Sequence, residues 1–228
     1  MADHPLMKQL DDAVANNSLD SVKEVFLNHG FDVNAPLDKG LALPPLGHML
    51  TDVDMVRWLI AHGADPNAES HHGLTPFLKA VQVSPLATVR LLSEAGASLT
   101  IAVPFVCAAP AAQDGETEAD GAARRLEVLR YLLDNGADPE APMWAHNRYG
   151  RGNDFDYGTG LNRAIVKRAE SLAEELLRRG ARTDSKTLNI ASRGETALEL
   201  AGKYTPRLVP LVAERRKEEE LTSGGVAP

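Results

Sequence analysis

The feature that most constrains the fold of this chain is a glycine that recurs at regular distances, each time at the end of a Leu-rich stretch. Gly30, Gly63 and Gly96 are 33 residues apart, and Gly136 and Gly180 follow at intervals of 40 and 44. The stretches that they close read VKEVFLNHG, VRWLIAHG, VRLLSEAG, VLRYLLDNG and AEELLRRG. A period in this range is typical of stacked repeats. Because such repeats bury their core only against their neighbours, the pattern predicts a stack with a long exposed surface.

Composition narrows the class of partner. The 228 residues carry a formal net charge of −8, and the only dense run of Lys and Arg, in ERRKEEE, is balanced by acidic residues. Nucleic-acid binding requires a basic stripe, so we expect no nucleic-acid partner. The start, MADHPLMKQLDD, lacks an apolar signal core, and no stretch approaches the ~20 apolar residues that span a bilayer. These features predict no membrane association and a cytoplasmic or nuclear location.

Cysteine and histidine give no sign of a metal or cofactor site. Cys107 is the only cysteine, which excludes an intrachain disulfide and favours a small buried core residue, although a catalytic thiol stays open. No C-x-x-C or H-E-x-x-H spacing occurs, and we expect no metal and no cofactor. His29 and His62 each precede a helix-ending glycine, where an imidazole complements the helix dipole, so a structural role is expected for both.

The segment from Gly73 to Ser98 contains a complete repeat, GLTPFLKAVQVSPLATVRLLSEAGAS. Thr75 is suited to cap a first helix and Pro76 to occupy its first turn. Gly96 is suited to the positive φ at which a second helix ends. This segment closely resembles an ankyrin repeat, in which a turn, two short antiparallel helices and a finger-like loop follow one another.

On this frame the resemblance extends over residues 7–213 and implies an all-α ankyrin-repeat solenoid that forms a single domain, 1–228. The six predicted repeats cover about residues 7–34, 35–67, 68–99, 100–139, 140–184 and 185–217, and a flexible tail is predicted at 221–228. The first helix of repeat two is expected to start late, because Ala42-Leu43-Pro44-Pro45 replaces the usual threonine–proline start.

Two repeats contain insertions. Relative to the 33-residue spacing, repeat four has 7 extra residues and repeat five has 11. In repeat four the acidic segment AAQDGETEADGAA separates the two helices, and its composition predicts a flexible loop. In repeat five the extra residues precede Asp154 and therefore enlarge the finger between repeats four and five.

The enlarged finger, 143–157, is the main candidate binding site. It holds four of the 11 aromatic residues of the chain within 15 positions. Aromatic and Arg side chains dominate binding energy at interfaces, so we expect a binding role, although rings that fold back and fix the loop are the alternative. The candidate residues are Trp144, His146, Arg148, Tyr149, Arg151, Asp154, Phe155, Asp156 and Tyr157.

Further candidates follow from the resemblance, since ankyrin proteins use the finger positions and the end of the first helix to touch partners. These positions correspond here to His71, His72 and Leu74, to Asp38 and Lys39, to Gln82 and Val83, and to Val166 and Lys167. Lys79 and Arg163 occupy matching positions, each four residues after a threonine. All of these side chains are expected on one concave face, where Lys79 and Arg163 would complement an acidic group.

The resemblance implies a non-catalytic scaffold that binds another protein through the concave face and the long finger. The alternative is a small-molecule enzyme or ligand-binding protein with a pocket under the finger, because two carboxylates, Asp154 and Asp156, share a side of an extended strand. Tyr149, Tyr157, His146 and His72 would complete such an acid–base set. No catalytic motif supports this alternative. A third possibility is a structural module of a larger protein.

Overall fold

The computed structural model describes residues 5–16, 18–29, 32–37, 42–70, 73–108, 117–142, 158–187 and 194–223. Within these ranges the chain is helical and contains no strand. It forms two compact units, Met1–Ser98 and Leu99–Pro228. Their boundary coincides within one residue with the predicted boundary between repeats three and four. The prediction of one domain over the whole chain stays a prediction.

The described helices form six successive pairs, one for each predicted repeat. They are α1 (Pro5–Ala15) and α2 (Leu19–His29); a 3₁₀ turn (Pro45–His48) and α3 (Val53–Ala61); α4 (Pro76–Val83) and α5 (Leu86–Glu94); α6 (Ala102–Val106) and α7 (Glu118–Asp134); α8 (Gly160–Val166) and α9 (Glu170–Arg178); and α10 (Ala197–Tyr204) and α11 (Val209–Ser223), with a 3₁₀ turn (Pro206–Leu208) between them. The short 3₁₀ turn of repeat two agrees with the predicted late start.

The threonine of repeat three begins its helix as the sequence predicted. Thr75 Oγ1 accepts a hydrogen bond from the Leu78 N–H at 3.1 Å, and Pro76 follows as the first helical residue. At the start of α10, Glu199 accepts from both the backbone N–H of Thr196, at 2.7 Å, and its hydroxyl, at 2.8 Å. Each arrangement satisfies polar groups that a helix start otherwise leaves without a partner.

The recurrent glycines end the second helices in the left-handed conformation. Gly96 has φ +91°, its N–H donates to the Ser93 carbonyl, and the next N–H, of Ala97, donates back to Leu92. Gly63, Gly136 and Gly180 have φ values of +89°, +86° and +88°. Since this conformation is costly for residues with a Cβ atom, the glycine spacing read from the sequence marks real helix ends.

In unit 1 the helices pack in two layers. The first-helix layer brings α4 against the 3₁₀ turn of repeat two, and the second-helix layer brings α3 against α5. In the first repeat α1 packs on α2 around Leu10, Val25 and Leu37.

Asparagine side chains also link successive repeats. Asn34 donates to the Gly63 carbonyl at 3.0 Å and accepts from the Asp65 N–H at 2.7 Å.

The same link recurs one repeat later in unit 1. Asn67 donates to the Gly96 carbonyl at 2.9 Å and accepts from the Ser98 N–H at 2.8 Å. We call these two links the asparagine rungs. Each uses both ends of one side-chain amide to fix the glycine turn of the following repeat.

Unit 2 also has two layers. α6, α8 and α10 pack side by side, and α7, α9 and α11 form the second layer. The approach between α6 and α8 is close, because a Cβ atom at Gly160 would lie 2.7 Å from the Val103 side chain. Among the described residues, no helix is long and apolar enough to cross a membrane.

The link to the Gly180 turn of unit 2 has different chemistry. Glu140 stands at the position of the rung asparagines, four residues after a glycine, and accepts from the Arg182 N–H at 2.8 Å and the Ser185 hydroxyl at 3.2 Å. Its carboxylate has no donor for the Gly180 carbonyl, which instead accepts from Arg215 Nη2 of α11 at 2.9 Å. We call this arrangement the glutamate–arginine rung.

The acidic insertion of repeat four differs from its prediction. Helix α7 begins within it, so residues 118–123, predicted as flexible loop, are helical. The Thr117 hydroxyl caps the helix by accepting from the Asp120 N–H at 3.1 Å, and Glu118 and Asp120 lie in the first turn, where negative charge complements the helix dipole. Helix α11 likewise extends to Ser223 and includes the first three residues of the predicted tail.

Candidate binding surface

The structure describes seven of the residues predicted to bind a partner: Leu74, Lys79, Gln82, Val83, Arg163, Val166 and Lys167. The other predicted residues lie outside the described residues. These are Asp38, Lys39, His71, His72, Trp144, His146, Arg148, Tyr149, Arg151, Asp154, Phe155, Asp156 and Tyr157. The enlarged finger and the acid–base set that was its alternative therefore stay predictions.

Leu74 closes a tight turn before α4 and is 6% exposed. Its N–H donates to the Ser70 hydroxyl at 3.1 Å, and its carbonyl accepts from the Ser70 N–H at 2.8 Å. Gly73, between them, has φ +72°. Leu74 thus packs inside this turn and presents little surface to a partner.

Helix α4 exposes one stripe of side chains. Lys79, Gln82 and Val83 are half-buried, whereas the helix buries Pro76, Phe77, Leu78, Ala80 and Val81. Positions 79, 82 and 83 share one side of an α-helix, since residues three and four apart are neighbours on its surface. We call this set the α4 stripe. It contains three of the seven described candidates.

Arg163 has the same position in α8 as Lys79 in α4, but it is only 9% exposed. Its neighbour Asn162 is fully buried and donates to the Ser185 carbonyl at 2.9 Å. The matching sequence positions therefore lead to different surroundings. Lys79 is open to a partner in solvent, whereas Arg163 lies within the packing of unit 2.

Cys107 lies in the core of unit 2 and is fully buried. Burial raises the pKa of its thiol to about 12, despite the opposing charges of Arg163 and Arg125. At neutral pH the thiol is therefore protonated, and a protonated thiol is a poor nucleophile. This environment agrees with the core role expected from the sequence.

His62 ends α3 and packs on an aromatic side chain. Its ring stacks on Trp58 with the ring centroids 4.0 Å apart, and its Nδ1 lies 2.8 Å from the Trp58 carbonyl. This contact places an imidazole at the carbonyl end of α3, where the sequence predicted a structural histidine. Within the described ranges, no group of three or more His, Cys, Asp or Glu side chains is arranged to hold a metal ion.

Two shallow clefts lie among the described residues. One, of about 420 Å³, separates α9 from α11 and is lined largely by charged residues such as Glu174, Arg178 and Glu214. The other, of about 380 Å³, lies between α1 and α2 and is lined by polar residues that include Asp12 and Glu24. Neither contains a residue predicted to bind, so they give the small-molecule alternative no support.

Lys167 was predicted from the sequence as a contact residue, but the cations that accompany it at the ends of two first helices of unit 2 were not. Arg168 directly follows the helix end at Lys167, while Lys203 and Arg207 lie at the end of α10. The glycine spacing marks the ends of second helices only. The threonines Thr159 and Thr196, which precede α8 and α10, mark the starts of these first helices. Adding the length of a first helix to each threonine position would have placed the cations at the two helix ends.

Comparison with known proteins identifies the fold. The ankyrin repeat family model matches residues 46–71, which span the 3₁₀ turn and α3. The match lies mainly in repeat two, although the sequence resemblance was strongest in repeat three. The crystal structure of the human ASB11 ankyrin repeat domain is similar to this chain with a TM-score of 0.61 and 22% identity, over 93% of this chain and 83% of that one.

A bacterial ankyrin repeat domain, ABAYE2397 from Acinetobacter baumannii AYE, is similar with a TM-score of 0.61 and 20% identity, over 94% of this chain and 98% of that one. At these identities the likeness concerns the fold. It agrees with the paired helices, the glycine turns and the family match in repeat two. Ankyrin repeats are generally modules of protein–protein interaction. The chain therefore contains an ankyrin repeat at residues 46–71 and has the fold of ankyrin repeat domains.

Proposed function

We propose that this chain is a non-catalytic scaffold that binds a partner protein through the predicted concave face, which includes exposed side chains of the first helices, and through the 143–157 finger. The observation that carries the proposal is the α4 stripe. Helix α4 leaves Lys79, Gln82 and Val83 in contact with solvent while its remaining side chains hold the core. A helix fixed by its own packing presents these side chains at a small entropic cost of binding.

The composition of the 143–157 finger supports the same proposal. It concentrates Trp144, Tyr149, Phe155 and Tyr157 in 15 residues of a chain that has only 11 aromatic residues. Such rings bury a large area and also form hydrogen bonds, which makes them frequent anchors at the centre of interfaces. In this proposal the rings supply the anchor contacts, and polar neighbours such as Arg148 and Asp154 supply orientation.

The positions before α4 contribute less to the proposed surface. His71 and His72 precede the turn at Gly73, and they are proposed as contacts at its edge. Leu74 supports that turn from within, as its burial indicates. Arg163 is proposed to support the first-helix layer of unit 2 rather than to contact the partner, because it is 9% exposed.

The proposal is tested by quantitative affinity capture from extracts of the organism in which the chain occurs. Tagged wild-type protein is compared with Trp144→Ala combined with Tyr149→Ala, and with Lys79→Glu. We expect the aromatic double variant to lose at least about nine-tenths of the captured partner, since two anchor residues are removed. Lys79→Glu is expected to reduce capture several-fold, because it reverses a charge within the face.

Arg57→Glu provides a matched control, since Arg57 is an exposed residue of the second-helix layer. It is expected to leave capture unchanged. The melting temperatures of all variants are expected to stay within a few degrees of wild type. Unchanged capture by the aromatic variant would show that the finger is not the site. A collapse of its melting temperature would show instead that the rings pack against the scaffold.

A further inference from the structure

Four exposed cations lie at the C-terminal ends of two first helices in unit 2. Lys167 and Arg168 directly follow α8, Lys203 lies in the last turn of α10, and Arg207 lies in the 3₁₀ turn after it. We call these four residues the basic edge. The chain as a whole carries eight more acidic than basic charges, 32 against 24. A local surplus of positive charge is therefore unusual for this molecule.

The contacts at the starts of α8 and α10 bring the four cations to the same edge. The two helices pack side by side. The segment 183–186 touches both of their starts, because Asn162 donates to the Ser185 carbonyl and the Ala197 N–H donates to the Thr183 carbonyl. Both helices therefore begin at this segment and run in the same direction. Their C-terminal ends, which carry the basic edge, lie next to each other.

Three of the four cations have no carboxylate partner among the described residues. Lys167, Arg168 and Arg207 form no ion pair there, while Lys203 pairs with Glu195 at 3.0 Å. The second-helix layer of the same unit differs, because five of its arginines are paired with carboxylates. Its pairs join Arg130, Arg178 and Arg179 to Glu175, Arg215 to Glu218, and Arg216 to Glu220.

The backbone at Arg168 adds an independent observation. Arg168 has φ +57°, its N–H donates to Ile165, and the next N–H, of Ala169, donates to Ala164. This is the hydrogen-bond pattern of the turn at Gly96. An L-residue adopts this conformation at a cost that glycine avoids, and strained residues of this kind concentrate at functional sites. The chain thus keeps a guanidinium where glycine would fit the backbone better.

We propose that the basic edge binds an acidic segment of the partner protein, rich in Asp or Glu. The proposal rests on the proposed function, since it names the chemistry of one part of the partner. Charge complementarity favours an acidic segment, and exposed cations without carboxylate partners have no internal pair to break on binding. An extended acidic segment can reach both helix ends, because they lie side by side.

The test uses a fluorescein-labelled peptide rich in Glu as the probe, a peptide with Gln in place of each Glu as its neutral counterpart, and fluorescence anisotropy as the readout. We expect wild-type protein to bind the Glu peptide and not the Gln peptide. The affinity should fall as salt rises, because exposed charges are screened. Lys167→Glu combined with Arg207→Glu is expected to weaken binding by about ten-fold or more, since two charges of the edge are reversed.

Arg168→Gly separates a binding role from a structural one. Cations at a helix C-terminus also stabilise the helix dipole, and a purely structural Arg168 would make this variant less stable. The strain at φ +57° predicts the opposite result. We expect Arg168→Gly to weaken peptide binding by about three-fold while its urea midpoint stays equal to or above that of wild type. Unchanged affinity in this variant would remove Arg168 from the site.

Lys217→Glu is the matched control. Lys217 is exposed on α11, near Glu219, which accepts from the Thr183 N–H at 3.1 Å at the opposite end of α10. It carries the same change of charge away from the basic edge, and it is expected to leave the affinity unchanged. An equal loss of binding in this control, or no binding by wild-type protein at low salt, would overturn the proposal.

Two further measurements separate this inference from the proposed function. Vesicles that contain phosphatidylserine are offered in place of the peptide, and stronger binding to them than to the peptide would overturn the proposal in favour of a membrane surface. The basic-edge variants are also compared in the partner capture. If capture is lost on changing Lys79 or Trp144 but is retained in these variants, the proposed function stands and the inference fails.

Discussion

The asparagine rungs of unit 1 and the glutamate–arginine rung of unit 2 perform the same task with different chemistry. In unit 1 a single amide, that of Asn34 or Asn67, both donates to and accepts from the next glycine turn. In unit 2 the carboxylate of Glu140 only accepts, and Arg215 of α11 supplies the donor. Since a carboxylate has no N–H group to give, the missing hydrogen bond has to come from another residue.

This difference shows how a repeat pattern survives substitution. The geometry of the glycine turn is kept, while the side chains that fix it change from one residue to two. One consequence is a different sensitivity to mutation. Loss of Asn67 removes both hydrogen bonds of a rung at once, whereas the bonds of the glutamate–arginine rung can be removed separately.

The largest effect is expected at Arg215. Replacing it by Ala removes the bond to the Gly180 carbonyl and the ion pairs with Glu218 and Glu219. Because Arg215 is 26% exposed and is the donor of this rung, we expect the free energy of unfolding to fall by about 2 kcal/mol, as is typical for hydrogen bonds of charged groups. Urea denaturation measures this change.

Arg216→Ala is the control for this prediction. Arg216 lies next in sequence and pairs with Glu220, but the two side chains are 42% and 67% exposed. Exposed pairs contribute little, so we expect a change below about 0.5 kcal/mol. Equal losses in the two variants would show that the Gly180 contact does not stabilise the fold.

A smaller loss of stability is expected when a rung asparagine of unit 1 is replaced by a carboxylate, as at Glu140 in unit 2. Asn67→Asp keeps the acceptor for the Ser98 N–H but removes the donor to the Gly96 carbonyl, and no described residue of unit 1 takes the place of Arg215 there. We expect a loss of about 1 kcal/mol, the usual value for one hydrogen bond, by urea denaturation. Asn34→Asp should give a similar loss. Stability equal to wild type in both would mean that the rung donor is dispensable.

The smallest effect is the pH dependence that Glu140 contributes. Burial raises the pKa of its carboxyl above the ordinary value of 4.5, although hydrogen bonds from Arg182 and Ser185 oppose the shift. Native protein therefore binds more protons than unfolded protein between the two values. The contribution of Glu140 to the free energy of unfolding consequently falls as the pH rises through 4.5 toward the raised value.

Glu140→Gln removes this contribution, because an amide does not titrate in this range. The difference in urea midpoint, wild type minus variant, is therefore expected to decrease as the pH rises above 4.5. Glu175 has the opposite shift. Burial alone would raise its pKa, but hydrogen bonds from Arg130 and Arg179 lower it, so its contribution to stability grows as the pH rises. A constant difference between wild type and Glu140→Gln would contradict the assignment.

The sequence predicted the parts of the fold that depend on local chemistry. The glycine spacing gave the ends of the second helices because those turns require positive φ. Thr75 predicted the start of α4 for an equally local reason, since its hydroxyl lies three residues from the N–H that it binds. The family match and the two ankyrin repeat domains confirm the fold that these patterns indicated.

The parts that depend on distant contacts could not be predicted. Glu140 reaches Arg182, and Arg215 reaches Gly180, over 42 and 35 residues of sequence. The burial of Leu74 and Arg163 likewise depends on neighbours that spacing does not name. The start of α7 was missed for another reason. Acidic composition indicated a loop, whereas the local cap at Thr117 begins a helix.

Helix α7 has 17 residues, whereas α3, α5 and α9 have nine each. Its end is fixed by the turn at Gly136, so the additional length extends backward, toward Thr117. Residues added on that side leave the register of the contacts after Thr117 unchanged. We therefore expect that a peptide or reporter tag inserted just before Thr117 leaves the packing of the later repeats unchanged.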